Sequence, residues 1–511
     1  MSEKKELLEF KRVVNSSAII YLGLPFCLFL LFWVRPVIAI PLFLIMCISI
    51  IKAIHNEKKQ EEGQHYSLSK NEWYKLLIAW CVIIVWVYLS GIGGFVFQNT
   101  DHIWRNTIFN ILVKYDWPVV TKLSVDGVTE TRGLVYYIGF WLPAALIGKL
   151  TSIGIGNIFQ LIWASLGIFL FYCGVCIYRK KIEIWPLLLF IFFSTIDIVG
   201  WVLGVFCWGH KLTLGTHIDC WYKFEYSCIT KQLFWVFNQA MPAWLCFLAV
   251  LNSRNNRNIV LLLGLVLICS PLPFIGLLPY AVYVCLSRKY GEKFISLDYF
   301  KALFKDTFTF QNFFGGGISG ILTFLYLMNN DSGQAIGAPN NTTRFLNDYL
   351  LFIALEVLAF IIILFFFHKK NYMYYLTCML LLLFPFGRIG NGGDFCMRAS
   401  IPALIMLYLL CLEALDNPKP KLLKFALIFI LCIGAITPIN EFARTIINTA
   451  AIKKGSSDFV DYIIFKDVII LQNKLGVYGY MKELPEEMIM TGGNFSGNAE
   501  KSLFFKYFAK R

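Results

Sequence analysis

The chain has 511 residues, 58% of them apolar and only 15% charged. A soluble domain of this size needs more polar surface to cover its core. Apolar windows of about 17–25 residues recur instead, each long enough to cross roughly 30 Å of hydrocarbon. The net charge of +14 points to anionic lipid and not to nucleic acid, because most Lys and Arg flank apolar runs.

In chain order, Lys4, Lys5, Lys11 and Arg12 precede the first apolar run, as in a signal peptide. No small-residue cleavage site follows, and the run continues through Arg35-Pro36 into a second, so an uncleaved hairpin is expected. The pattern predicts an all-α, polytopic bundle of about thirteen spans, near 17–34, 36–53, 75–93, 155–178, 184–204, 233–251, 258–270, 273–287, 316–328, 347–367, 371–387, 400–415 and 421–438. The runs at 258–270, 273–287 and 316–328 are short for a crossing.

Orientation follows from the basic residues. With the N-terminus in the cytoplasm, Lys58, Lys59, Lys70, Arg179, Lys180, Lys181, Arg254, Arg257, Arg288 and Lys289 all fall inside. Segment 134–150 is apolar enough to cross but would invert every later cluster, so it is expected to lie on the outer surface. Its Tyr136, Tyr137, Phe140 and Trp141 suit the head-group level. A transmembrane domain 1–438 then carries a first large outer loop at 94–154, and 439–511 forms an outer tail. That tail has a helical stretch at 440–451 and turn signals at Gly492-Gly493 and Ser496-Gly497. Cys207, Cys220 and Cys228 share one loop, where a disulfide between two of them is one reading.

The most informative stretch follows the third span. Asp101 comes just past the membrane exit. Trp104, Ile108, Ile111 and Leu112 then form one apolar stripe, as in a helix lying flat on the membrane, and Asp116-Trp117-Pro118 ends it. Asp101 stands where a carboxylate also caps a helix start. Asp197, in FFSTIDIVGW, is an acid at the outer end of an apolar run. The loop GRIGNGGDFCMRASIPAL holds Arg388, Asp394 and Arg398. Asp394 and Arg398 are four apart and suit a helical ion pair, while amides freed by Gly390, Gly392 and Gly393 suit an anion. Arg105, one turn after Asp101, is a second candidate cation for an anion.

His102, His210 and His217 lie in outer loops without ligand spacing, so a divalent metal stays undetermined. The aromatic residues of 201–235 suit sugar stacking or an interface belt, and Asn238 and Gln239 sit inside an apolar run beside Pro242.

Over about residues 75–200 the pattern resembles GT-C membrane glycosyltransferases, such as protein O-mannosyltransferases and lipid A aminoarabinose transferases. Those open with an outward span, an immediate Asp, an amphipathic helix ending near a Trp, and a Tyr-rich outer segment. Asp101, Asp116-Trp117-Pro118 and Arg132-Gly133-Leu134-Val135-Tyr136-Tyr137 match that outline, and the return span ends at Arg179-Lys180-Lys181. Asp101-His102 stands where relatives carry two acids, the double proline is missing, and a hairpin at 17–53 precedes the match.

The resemblance implies a plasma-membrane transferase using a polyprenyl-phosphate sugar to modify an outer glycan, lipid or protein. It makes Asp101 the candidate base, with Asp197 as second carboxylate. Arg105, His102, Arg388, Asp394 and Arg398 become candidates on the donor side. A polysaccharide polymerase or ligase fits the same outline. A lipid-linked substrate flippase would show inverted repeats, and none is visible.

Overall fold

The computed structural model describes residues 3–59, 68–125, 128–210, 217–288, 296–331, 336–337, 342–389, 394–418, 420–453, 490 and 495–510. Helix α1 (Glu3–Trp33) and α2 (Pro36–Lys59) form the expected hairpin, turning at Arg35. Helix α3 (Lys70–Leu89) starts on a capping box: the Ser69 hydroxyl accepts from the Glu72 amide, and the Glu72 carboxylate accepts from the Ser69 amide. Then come α4 (Asp101–Lys114), α5 (Leu142–Leu150), α6 (Ile153–Arg179), α7 (Trp185–Ile191), α8 (Asp197–Trp208) and α9 (Ile229–Asn252). The third stretch holds α10 (Ile259–Val266), α11 (Pro271–Leu286), α12 (Leu297–Thr307), α13 (Gly317–Leu327), α14 (Thr342–Glu356) and α15 (Leu358–His368). Helices α16 (Tyr372–Leu383), α17 (Asp394–Ala399), α18 (Ile401–Asp416), α19 (Lys421–Gly434) and α20 (Ile436–Lys453) follow.

Six described helices are long and apolar enough to cross a membrane: Phe10–Trp33, Pro36–Glu57, Lys70–Leu89, Ile153–Arg179, Ile229–Asn252 and Lys421–Ala451. The pair Phe345–Glu356 and Leu358–His368, bent by 55°, makes up to seven. The remaining apolar runs of the thirteen-span reading form shorter helices. Helix α9 is the central post, with 89% of its apolar window buried.

Three expectations change. The span at 184–204 is not continuous, because the helix breaks at 192–196 between α7 and α8. As expected, segment 134–150 has no helix long enough to cross: a 3-10 turn at Ile138–Phe140 leads into the nine-residue α5, about 13 Å long, but its aromatic residues are placed differently. Its Tyr136, Phe140 and Trp141 are buried in the protein and not spread at a head-group level.

The bundle is helical as expected, and the third change lies in the few short strands beside it. Strands β1 (Val120–Val125) and β2 (Val128–Leu134) form an antiparallel hairpin, with Val120 opposite Gly133. Strand β5 (Ser496–Asn498) adds to the far edge of β2, with Gly497 opposite Gly133, so the expected turn at Ser496-Gly497 is a strand. Strands β3 (Ile336–Gly337) and β4 (Arg388–Ile389) form a second, two-residue pair.

Residues 495–510 are thus built into the molecule. Phe504 is fully buried, Arg35 Nε donates to the Ala509 carbonyl at 2.9 Å, and the Lys510 amide donates to the Trp33 carbonyl at 2.9 Å. The Gly492-Gly493 signal lies outside the described residues. All fifteen cysteines are free thiols, so Cys207, Cys220 and Cys228 are not joined.

Candidate functional site

After α3 the chain turns through Gly91, Gly93 and Gly94, all at positive φ, a region that costs glycine no side-chain clash. The Gln98 amide closes this turn on the Gly91 carbonyl at 2.7 Å. Asn99 then does the work expected of Asp101: its Oδ1 accepts from the Asp101 amide at 3.0 Å. Asp101 does not cap α4. Its carboxylate is free to reach the Arg105 guanidinium at 3.0 Å, and its side chain is 40% exposed beside an Arg105 at 6%.

Arg105 is held from behind. Its Nε donates to Asn238 Oδ1 at 3.3 Å, and its guanidinium lies 5.7 Å from the Phe237 ring centre. Asn238 is presented there because α9 leaves helical angles at Val236, and Pro242 has no N–H to offer the Asn238 carbonyl. An amide inside an apolar helix thereby gains a charged partner.

The loop and helix after α16 deliver the other half. Arg398, on α17, donates from Nη1 to the Tyr137 hydroxyl at 2.8 Å and pairs through Nη2 with Asp394 at 3.3 Å. Tyr137 in turn accepts from the Tyr136 hydroxyl at 2.5 Å. Burial works against the Arg398 charge, yet Tyr137, Asp394, Tyr136 and Asp101 together hold its pKa above the ordinary value. Burial raises the Tyr136 phenol well above its ordinary range, which keeps it a neutral donor beside Arg398 and Arg105. Asp101, Arg105, Tyr136, Tyr137, Asp394 and Arg398 therefore form one electrostatic unit drawn from three segments. Asn238 Nδ2, Trp141 Nε1 and Arg398 Nε are buried donors there with no acceptor among the described residues.

Phe495, from the far end of the sequence, covers this unit: it stacks on Trp104 at 5.5 Å and lies 4.9 Å from the Tyr136 ring. Sequence reasoning missed Tyr137, Asn238 and Phe495 as members. The Asn238 signal was present as an amide beside a proline, whereas Phe495 carried none.

His102 is not a solvated loop residue. It is 1% exposed, Nε2 donates to the Phe234 carbonyl at 3.0 Å, and Nδ1 accepts from Gln98 at 3.3 Å. Burial and then the Arg105 charge lower its pKa to about 3, so it stays neutral with both nitrogens occupied. Arg388 is exposed on β4, opposite Gly337. The anion loop at Gly390, Gly392 and Gly393 lies outside the described residues.

Asp197 belongs to a second, buried cluster. Where the helix breaks, the Ser194 and Thr195 hydroxyls meet its carboxyl, and the Thr195 hydroxyl also meets Glu356. One hydroxyl has one hydrogen to give, so the second contact is satisfied only when a carboxyl donates. Trp221 Nε1 donates to Glu356 at 2.5 Å. The backbone freed by the break is also met: the Ile196 amide donates to the Glu356 carbonyl at 3.3 Å and Thr230 to the Ile191 carbonyl at 2.6 Å.

Close by, Lys231 lies 3.0 Å from Glu225 and 3.7 Å from Asp219. Burial pushes Asp219 up to about 8, while for Glu225 burial is outweighed by Lys231 and the Ser227 hydroxyl, which lower it. Glu225 is therefore the ionised partner of Lys231, as the shorter distance demands. His210 packs on Trp201 at 4.8 Å, and His217 lies 3.9 Å from Glu441. Among the described residues no group of three or more His, Cys, Asp or Glu is placed to hold a metal ion.

No family model, curated protein or solved structure matches this chain.

Proposed function

We propose that the chain is a GT-C-type glycosyltransferase that takes a sugar from a polyprenyl phosphate and transfers it, outside the membrane, to a glycan, lipid or protein. The observation that carries this reading is the ion pair of a part-exposed carboxylate, Asp101, with the buried Arg105, and a second buried guanidinium, Arg398, within its electrostatic reach. Transfer needs those parts and few others. The acceptor oxygen forms a bond to the anomeric carbon, the bond from that carbon to the phosphate oxygen breaks, and the acceptor proton passes to Asp101. The phosphate leaves with an added negative charge, which Arg398 and Arg105 lower in energy through charge-assisted hydrogen bonds. Asn238 Nδ2 and Arg398 Nε, which meet no acceptor among the described residues, suit the same oxygens. Asp197, fully buried, positions α8 in this scheme and does not meet substrate.

The test is sugar release from a panel of polyprenyl-phosphate sugars in membranes holding wild type or Asp101→Asn at equal expression. Loss of about 100-fold or more in the variant is expected, the scale of a removed general base. Unchanged turnover in the variant would remove Asp101 from the chemistry. No turnover by wild type on any donor would sink the transferase reading.

One observation favours a second reading, a lipid-linked substrate transporter. The α7–α8 break and the α14–α15 bend meet at the buried Asp197–Glu356 pair, and broken helices around buried acids are a transporter feature. Movement of an intact labelled lipid-linked sugar between leaflets, without release of its sugar, would favour this reading.

A further inference from the structure

Helix α12 lies on the basic side of the bundle and is pinned to it along one face. Tyr299 is buried and its hydroxyl donates to the Leu286 carbonyl at 2.5 Å. At the other end Asp306 accepts from the Asn256 amide at 2.9 Å and pairs with Arg257 at 3.2 Å. At eleven residues it is about 16 Å long and cannot cross a membrane.

The opposite face is apolar and open. Leu297, Phe300, Phe304 and Phe308 fall on one stripe by helical spacing, with Leu297 71% and Phe304 61% exposed. Phe313 and Phe314, after the helix, extend the same exposed surface. Two apolar grooves of about 500 Å³ each flank the helix and share Val260 and Thr307 as their common wall. One runs beside Leu278 and Val282 of α11, the other beside Leu42 of α2 and Ile321 of α13.

Charge decides the occupant. On the same helical wheel Lys301 and Lys305 stand at the margin of the apolar stripe, and both are exposed. Lys52 lies over the Phe310 ring at 5.5 Å, and that ring meets Phe314 of the second groove at 4.8 Å. Lys301 pairs with Asp298 at 3.8 Å, a contact almost fully exposed and too weak to neutralise the charge. Aromatic side chains below lysines, on a helix lying along the bundle, match a half-immersed interfacial helix.

We infer that α12 and its two grooves bind an anionic membrane lipid: the acyl chains enter the grooves, and the phosphate meets Lys301, Lys305 and Lys52. The inference stands apart from the transferase reading, because it uses none of its residues.

The experiment delipidates the full chain in detergent and adds an equimolar mixture of phosphatidylglycerol and phosphatidylcholine. Native mass spectrometry then counts retained lipids. Wild type is expected to retain phosphatidylglycerol preferentially. Lys301→Gln with Lys305→Gln should cut the preference by roughly five-fold per lysine while still retaining lipid. Phe300→Ser with Phe304→Ser should retain less of both lipids. Thermal melting of each variant separates these effects from misfolding. Equal retention of the two lipids by wild type, or an unchanged preference in the lysine variant, overturns the inference. So does a dimer that forms through this face and is abolished by the phenylalanine variant.

Discussion

The neutral His102 makes stability depend on pH in a defined direction. Its folded pKa of about 3 lies below the ordinary value of 6.5, so the unfolded chain takes up a proton first as pH falls. Stability is full above about 6.5 and falls as pH drops from there toward 3, by on the order of a few kcal/mol. His102→Gln keeps a donor for the Phe234 carbonyl and should flatten melting temperature across that window. Asp219 works from the other side. Its folded pKa is raised to about 8 from 3.8, so the unfolded chain ionises first and stability declines as pH rises through that range. Asp219→Asn should reduce the fall in melting temperature between pH 5 and pH 8. An equal fall in both proteins would mean that Asp219 is ionised beside Lys231. Helical spacing was enough to read the Asp394–Arg398 ion pair, and the same spacing sets Arg105 against Asp101. Reading single residues failed for Tyr137, because a tyrosine near an interface looks the same whether it faces lipid or a guanidinium.

Breaks and crossings decide more at the level of elements. Hydropathy is blind to the interruption at 192–196, since Phe192, Phe193 and Ile196 are as apolar as a continuous span. Only Ser194, Thr195 and Asp197 mark it, and their meaning depends on Glu356, far away in sequence. Thr195→Val removes the hydroxyl shared by both carboxyls and should destabilise the fold by about 1–3 kcal/mol. A melting temperature equal to wild type would show that the bridge is dispensable. The three-stranded sheet was illegible for a related reason: β5 is three residues long and carries no alternation of its own. Its seat is specific all the same. A Cβ at Gly133 would stand 2.4 Å from the Phe505 ring, so Gly133→Ala should loosen residues 495–510 and speed their cleavage by added protease. Equal cleavage rates would contradict that seating.

At the level of the whole molecule, composition gave the membrane and the helical bundle, and the basic clusters gave an orientation. Alkaline phosphatase fusions test it directly: a reporter after Trp117 should be active outside, and one after Asn255 should be silent. The reverse pattern would turn the bundle over and put Asp101 in the cytoplasm. The number of crossings was less legible, because short, bent and paired helices share the same apolar composition as full spans.

The strand β5 and the stacking of Phe495 on Trp104 have a consequence for biogenesis. The roof of the Asp101 site comes from a stretch the ribosome reaches after α1 to α20 have all been made. Until then β2 offers an open edge and Trp104 and Tyr136 lack their cover, so a stalled or clipped nascent chain exposes sticky surface to quality-control proteases. Maturation of this site is therefore a late event, and its completion reports that the chain has been made and inserted through to that stretch.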